Sequence, residues 1–188
     1  MKAQGSVIIL AEDRSGARFV EAWLRGRGVP SRAMVTKMAP EGSGSGKQWV
    51  TAEYPKEVRD HRSKVQHTEK TLIVCTDADE LSVNERLDQL GQALTGARLE
   101  ERDDEERILL LVPRWEIETW AHHLLSGDEV TEDEKAVHWD TERSRRDCRA
   151  AGERWDTHRP LGKVMPGCCP PSLVRADDER KRLDRDEG

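Results

Sequence analysis

A chain of 188 residues that is 36% charged and only 35% hydrophobic fits one domain with some elaboration, a small core and a heavily solvated surface. Its 31 basic and 37 acidic residues give a formal net charge of −6, which excludes an overall basic protein but leaves room for a local basic face. No run of about twenty apolar residues occurs, so no membrane span is expected. The apolar run near the N-terminus is too short for a secretory signal, and the four unevenly placed cysteines, Cys168 and Cys169 adjacent, are not a secreted disulfide framework; a reducing cytoplasm is the expected location.

In chain order, residues 6–12 (SVIILAE) form an apolar run of strand length, expected to be buried on both faces of a sheet. Residues 14–28 place Phe19, Val20, Trp23 and Leu24 at helical spacing, with glycines at the end. Residues 31–38 (SRAMVTKM) read as a weaker second strand, and 39–47 (APEGSGSGK) as a loop rich in Gly and Ser. Residues 48–65 have helical character that Pro55 breaks or starts. A third strand over 71–77 (TLIVCTD) leads into a helix over 82–94, with Val83, Leu87, Leu90 and Leu94 on one face. The charged stretch 100–107 precedes a fourth strand at 108–113 (ILLLVP) and a short helix over 115–125. This alternation predicts an α/β fold: a mostly parallel, Rossmann-like four-stranded sheet flanked by helices. From about residue 127 the chain turns polar. Residues 128–155 read as a charged helical stretch with few apolar anchors, 159–172 as a loop, 171–183 as a last helix with Pro171 near its start, and 184–188 as a frayed end. The expected organisation is an α/β domain over 1–126 with a helical C-terminal extension over 127–188 packed on it.

Residues 71–80, TLIVCTDADE, carry the chemical question. An apolar strand ends in Asp77, Asp79 and Glu80. Carboxylates this close repel and raise one another's pKa unless something positive sits among them, and a hard divalent cation is the usual remedy. The plain alternative is a solvated strand end with Asp79 capping the next helix. The first strand also ends in acids, Glu12 and Asp13. Ligands of open parallel sheets gather at the carboxyl ends of the strands, and neighbouring strands lie about 4.8 Å apart. If the first and third strands are neighbours, their acids share one spot; strand order is not legible in the pattern.

A glutamate closing the first strand (VIILAE) and an Asp-x-Asp closing a later one (LIVCTDAD), one βα unit between them, resemble the Toprim (topoisomerase–primase) domain. The segment ILLLVPRWEIETWAHHLL is similar to a strand followed by an IE-x-W helix in small bacterial Toprim-like proteins, and GSGSGKQWV, YPKEVRDHRSK and PPSL are similar to segments of that group. The resemblance covers roughly residues 6–125, with the tail matching only locally. It implies a Toprim-type nuclease that hydrolyses phosphodiesters of nucleic acid, DNA favoured over RNA, with Mg²⁺ or Mn²⁺ as cofactor, in a bacterial defence or repair system. Glu12 would manage a proton or bind the metal, and Asp77 and Asp79 would hold the metal. By likeness to nucleases of the overcoming-lysogenization-defect type, Glu118 is a further catalytic candidate; favourable placement in a first helical turn explains Glu118 and Glu116 equally well. The glycine that commonly follows the glutamate is Asp13 here, which adds a ligand or crowds the loop. Arg14, Lys47 and Arg114, next to these loops, are candidate contacts to nucleic acid.

Other patterns carry less. GSGSGK lacks the first glycine of a phosphate-binding loop, which would fall at Glu41, and has Gln48 where Ser or Thr should bind Mg²⁺. Cys148, His158, Cys168 and Cys169 lack the C-x₂-C pair of a zinc site. His122 and His123 point to different sides of a helix. The six tryptophans are expected in core or interface, and the basic run 143–146 (RSRR) as a solvated helix face. Two alternatives stand beside the nuclease. In a receiver-like module Asp77 accepts a phosphoryl group, but Pro113 and Arg114 stand where a lysine should end the last strand. In the other, the chain is a non-catalytic Toprim-fold subunit of an ATPase.

Overall fold

The structure, a computed structural model, describes residues 5–40, 45–64, 70–133, 135, 139–156 and 169–183. Four strands, β1 (Ser6–Ala11), β2 (Met34–Met38), β3 (Lys70–Cys75) and β4 (Ile108–Leu111), form one sheet in the order β2-β1-β3-β4, and every pairing is parallel. Among the described residues six helices flank it: α1 (Arg14–Gly26), α2 (Gly46–Lys64), α3 (Val83–Gly96), α4 (Ile117–Ser126), α5 (Thr141–Trp155) and α6 (Pro171–Arg180). The fold is a Rossmann-like α/β layer. No described helix is long and apolar enough to cross a membrane.

β1, β3 and β4 read as mainly apolar runs because helices cover both faces of the sheet there, whereas edge strand β2 is only partly buried. Ile9, Ala11, Ile73, Cys75, Leu109 and Leu111 point into one core with Phe19, Trp23, Trp120 and Trp155. The alternate residues Leu10, Leu72, Val74, Ile108 and Leu110 point into a second core with Val50, Tyr54, Val58, Leu90 and Leu94. Three of the six tryptophans are therefore core residues, Trp155 lying 4.7 Å from Trp23 between ring centroids.

Several local expectations change. Pro55 neither starts nor breaks a helix but lies inside α2. A proline inside a helix costs about 3 kcal/mol; burial of Val50, Tyr54 and Val58 along one face offsets it. β2 is shorter than read, because Ser31–Ala33 form a 3-10 turn before it. Among the described residues of the charged stretch 128–155 the helix is Thr141–Trp155, after an Asp140 cap, and it does have anchors: Cys148, Ala151 and Trp155 are buried. Residues 41–44, most of the loop read at 159–172, and the tail 184–188 lie outside the described residues.

The C-terminal elements pack on the α/β layer. α5 lies against α1 and α4, and α6 against β4. There the Glu179 carboxylate accepts the Leu110 main-chain N–H at 3.0 Å and pairs with Arg102, which occupies a ladder donor at the sheet edge. Ser172 at the start of α6 accepts the Trp120 indole N–H at 2.7 Å. The α1–α5 contact depends on Gly152. A Cβ there would lie 2.2 Å from the Phe19 carbonyl oxygen and 3.1 Å from the Ala22 Cβ, so the helix backbones would have to separate. Gly152→Ala should destabilise the protein by about 1–3 kcal/mol, seen as a melting temperature lower by about 2–4 °C per kcal/mol. An unchanged melting temperature would mean that the two helices do not meet this closely.

Candidate functional site

The sheet order makes β1 and β3 neighbours, so the two acidic strand ends lie side by side at the carboxyl edge. The ladder continues past the strands: the Glu12 N–H donates to the Cys75 carbonyl at 3.0 Å, and the Thr76 N–H to the Leu111 carbonyl at 3.2 Å. Glu12 Oε2 accepts both the Thr76 hydroxyl, at 2.9 Å, and the Asp77 main-chain N–H, at 3.2 Å. The end of the first strand is thereby clamped onto the loop that carries Asp77. Asp13 caps α1, its Oδ1 accepting the Gly16 N–H at 2.8 Å.

Burial and crowding set the electrostatics. Burial pushes the Asp77 carboxyl well above its ordinary range, and the like charges of Glu12, Asp13, Glu118 and Glu116 add to it. Burial also raises Glu12, against the Thr76 and Asp77 hydrogen bonds and the Lys47 charge. Asp13 is raised as well, by burial of its carboxyl group and by Glu118, although the residue keeps an exposed side. No cation pairs with the Asp77 carboxylate among the described residues; Arg86, mostly buried, donates to the Asp77 main-chain carbonyl at 3.0 Å instead.

Glu118 enters from the first turn of α4, where the Ser144 hydroxyl donates to it. Ser144 in turn shares a 2.7 Å hydrogen bond with Ser15 of α1. Glu116 is the residue before α4 and pairs with Lys135. The carboxylates of Glu12, Asp13, Asp77 and Glu118 thus belong to one electrostatic neighbourhood.

Asp79 is held differently. It adopts a left-handed backbone, φ 53°, and its carboxylate pairs with Lys47. It does not cap α3: Ser82 does, in a capping box with Glu85. Among the described residues, no group of three His, Cys, Asp or Glu side chains is gathered tightly enough to hold a metal ion. Of the three basic candidates, Lys47 sits on Asp79 in the first turn of α2. The Arg114 guanidinium donates to the carbonyls of Asp79 and Leu81, the latter at 2.8 Å, and stacks 4.0 Å from the Trp115 ring. Arg114 therefore shapes the acidic turn, whereas Arg14 is exposed at the start of α1. His122 and His123 both reach Asp128, one at its carboxylate and the other at its carbonyl.

Four contributors escape a sequence reading: Thr76, Ser15, Ser144 and Gly46. Gly46 is the most informative. A Cβ there would lie 2.8 Å from the Glu12 carbonyl oxygen and 2.9 Å from its Cγ, so the last glycine of the GSGSGK run lets α2 start against the first-strand acid and aims Lys47 into the site. The only signal for it was that run itself, which has the composition of a linker.

Hard divalent cations take carboxylate oxygens, and crowded, partly desolvated carboxylates suit one; the cation already present, Lys47, sits on Asp79. On that test Glu12 and Asp77 fit, and Asp79 joins them only if Lys47 releases it. No family model, no curated protein and no solved structure matches this chain.

Proposed function

We propose that this chain is a metal-dependent phosphodiester-cleaving enzyme of Toprim type acting on nucleic acid. One observation carries the reading: Asp77 sits among four like charges at the carboxyl edge of a parallel sheet, clamped to Glu12 and with no cation on its carboxylate among the described residues. Glu12 and Asp77 are the residues to hold Mg²⁺ or Mn²⁺. Such an ion, when bound, neutralises phosphate charge and makes a water or hydroxyl a better nucleophile.

The chain's own residues do the rest. The Glu12 carboxylate, with one oxygen engaged by Thr76 and the Asp77 amide, is placed to take the proton of the attacking water and return it to the leaving oxygen. Thr76 and the Asp77 amide fix which Glu12 oxygen is free. Gly46 keeps the space beside Glu12 narrow, and Lys47 supplies a charge there that can meet a phosphate oxygen.

The phosphoacceptor reading keeps one observation in its favour, a lysine at the acid cluster. That lysine comes from α2 and meets Asp79, not Asp77. The two are separated by incubating the protein with acetyl phosphate and Mg²⁺ and measuring intact mass, beside plasmid and single-strand cleavage assays with Mn²⁺. Cleavage that EDTA abolishes, with no gain of a phosphoryl group, is the expected result. A stable phosphoryl adduct that disappears in Asp77→Asn would replace the nuclease with a receiver.

A further inference from the structure

Beyond the acids, the surface between α1 and α5 has an unusual distribution of charge for a protein of net charge −6. A groove of about 800 Å³ runs between these helices, lined by Arg18, Arg145, Arg146 and Arg149 together with Glu142 and Glu153. A second depression, which shares Arg18 and Arg149 with the first, continues along α1 past Arg14 and Arg25 and beside Glu21. Six arginines therefore face three glutamates. Internal ion pairs engage some of them: Arg25 with Glu21, Arg146 with Asp147 and Arg149 with Glu153. Arg14, Arg18 and Arg145 are exposed and have no hydrogen-bond or ion-pair partner among the described residues.

From this arrangement we infer that the α1/α5 groove is a track for a phosphodiester backbone, leading away from the acidic strand ends. Three features favour a nucleic-acid strand over an acidic protein. Arg14 and Arg18 are one helical turn apart, about 6 Å along the axis, which is about one nucleotide step of an extended strand. Arg14 directly follows Asp13, so the track begins at the acid cluster and not at an unrelated face. The groove has rigid walls, because Gly152 lets α5 close onto the Phe19 carbonyl and Ser15 bonds Ser144. Guanidinium groups match phosphate oxygens in a two-pronged geometry. Among the described residues no aromatic ring lines either depression, and contacts from arginines to phosphates carry no sequence information, so recognition should ignore sequence.

The inference deepens the proposed function by saying where substrate lies, and binding in EDTA tests it apart from catalysis. Labelled 20-nucleotide single strands of two unrelated sequences, and a polyglutamate peptide, are titrated by fluorescence anisotropy at several salt concentrations. Arg18→Ser/Arg145→Ser should bind both strands at least tenfold more weakly than wild type. Its slope of log affinity against log salt should be shallower by about 1.4, roughly 0.7 for each lost contact to a single strand. Lys56→Ser/Lys181→Ser, an exposed pair elsewhere that makes the same change in net charge, should leave the slope unaltered. Equal loss in both double variants, no loss in the arginine variant, or polyglutamate bound as tightly as the strands would overturn the inference. A wild type that binds strands through these arginines yet cuts nothing with Mn²⁺ would count against the enzyme and leave the groove standing. Cutting that ignores the arginine variant would do the reverse.

Discussion

Asp77→Asn should lose Mn²⁺-dependent cleavage by at least about a thousandfold while melting at a higher temperature than wild type in EDTA. The activity loss follows from removing a carboxylate proposed to hold the cation, whose stabilisation of transition-state charge is several kcal/mol, with each 1.36 kcal/mol worth about a factor of ten. The gain in stability follows from relieving a site in which Asp77 is desolvated and crowded by like charges. Its pH dependence has a definite sign. A carboxyl whose folded pKa is raised contributes stability fully below its ordinary value, 3.8 for this group, and loses that contribution as pH rises through the folded value. The melting advantage of Asp77→Asn should therefore be small near pH 4 and widen towards pH 8. Saturating Mn²⁺ should act oppositely. At a hundred times its dissociation constant a ligand adds about 2.7 kcal/mol, a rise of about 5–10 °C for a chain of this size, seen in wild type and absent in the variant. Equal metal-induced shifts in both proteins would place the cation elsewhere.

At Glu12 the conservative and the truncating change should part company. Glu12→Gln retains an oxygen to accept the Thr76 hydroxyl and the Asp77 amide, so the loop stays clamped and the metal-free protein keeps or gains stability. It loses the proton-transfer group, with an expected fall in turnover of about 10²–10⁴. Glu12→Ala loses the clamp as well and leaves both donors without an acceptor in a part-buried place, at a cost of about 1–3 kcal/mol. Thermal melts in EDTA beside single-turnover cleavage would show the split. A Gln variant as unstable as the Ala variant would mean that the carboxylate charge, not the hydrogen bonds, holds the strand end. A Gln variant with full activity would remove Glu12 from the chemistry.

The architecture is largely legible because β1, β3 and β4 are mainly apolar runs that end in a change of composition: Ala11 to Glu12, Cys75 to Asp77, Leu111 to Pro113; β2, interrupted by Thr36 and Lys37, is the weak one. Residues buried on both faces leave no alternation to confuse the pattern. Pro55 departs from the local rule that proline ends helices because a buried face, visible only once the sheet is assembled, outweighs it. The adjacency of Glu12 and Asp77 was an assumption, since strand order arises from crossovers that leave no trace in local sequence; the sheet places β1 beside β3. Asp79 was read with Asp77 because they are two residues apart. The left-handed turn at Asp79 and the arrival of Lys47 from α2 give it a different partner. Ser144 could not be anticipated, since it reaches Glu118 only because α5 docks across α1 and α4. The same docking turns the RSRR run, unremarkable as a charged helix face, into one wall of a groove.

Whether the β1 and β3 acids hold a divalent cation is tested most directly by anomalous scattering from crystals soaked in Mn²⁺. A peak within coordination distance of the Glu12 and Asp77 carboxylates in wild type, lost in Asp77→Asn, is the predicted result; a fully soaked crystal with no peak there, or with its manganese bound only at a separate group such as His122 and Asp128, would contradict it.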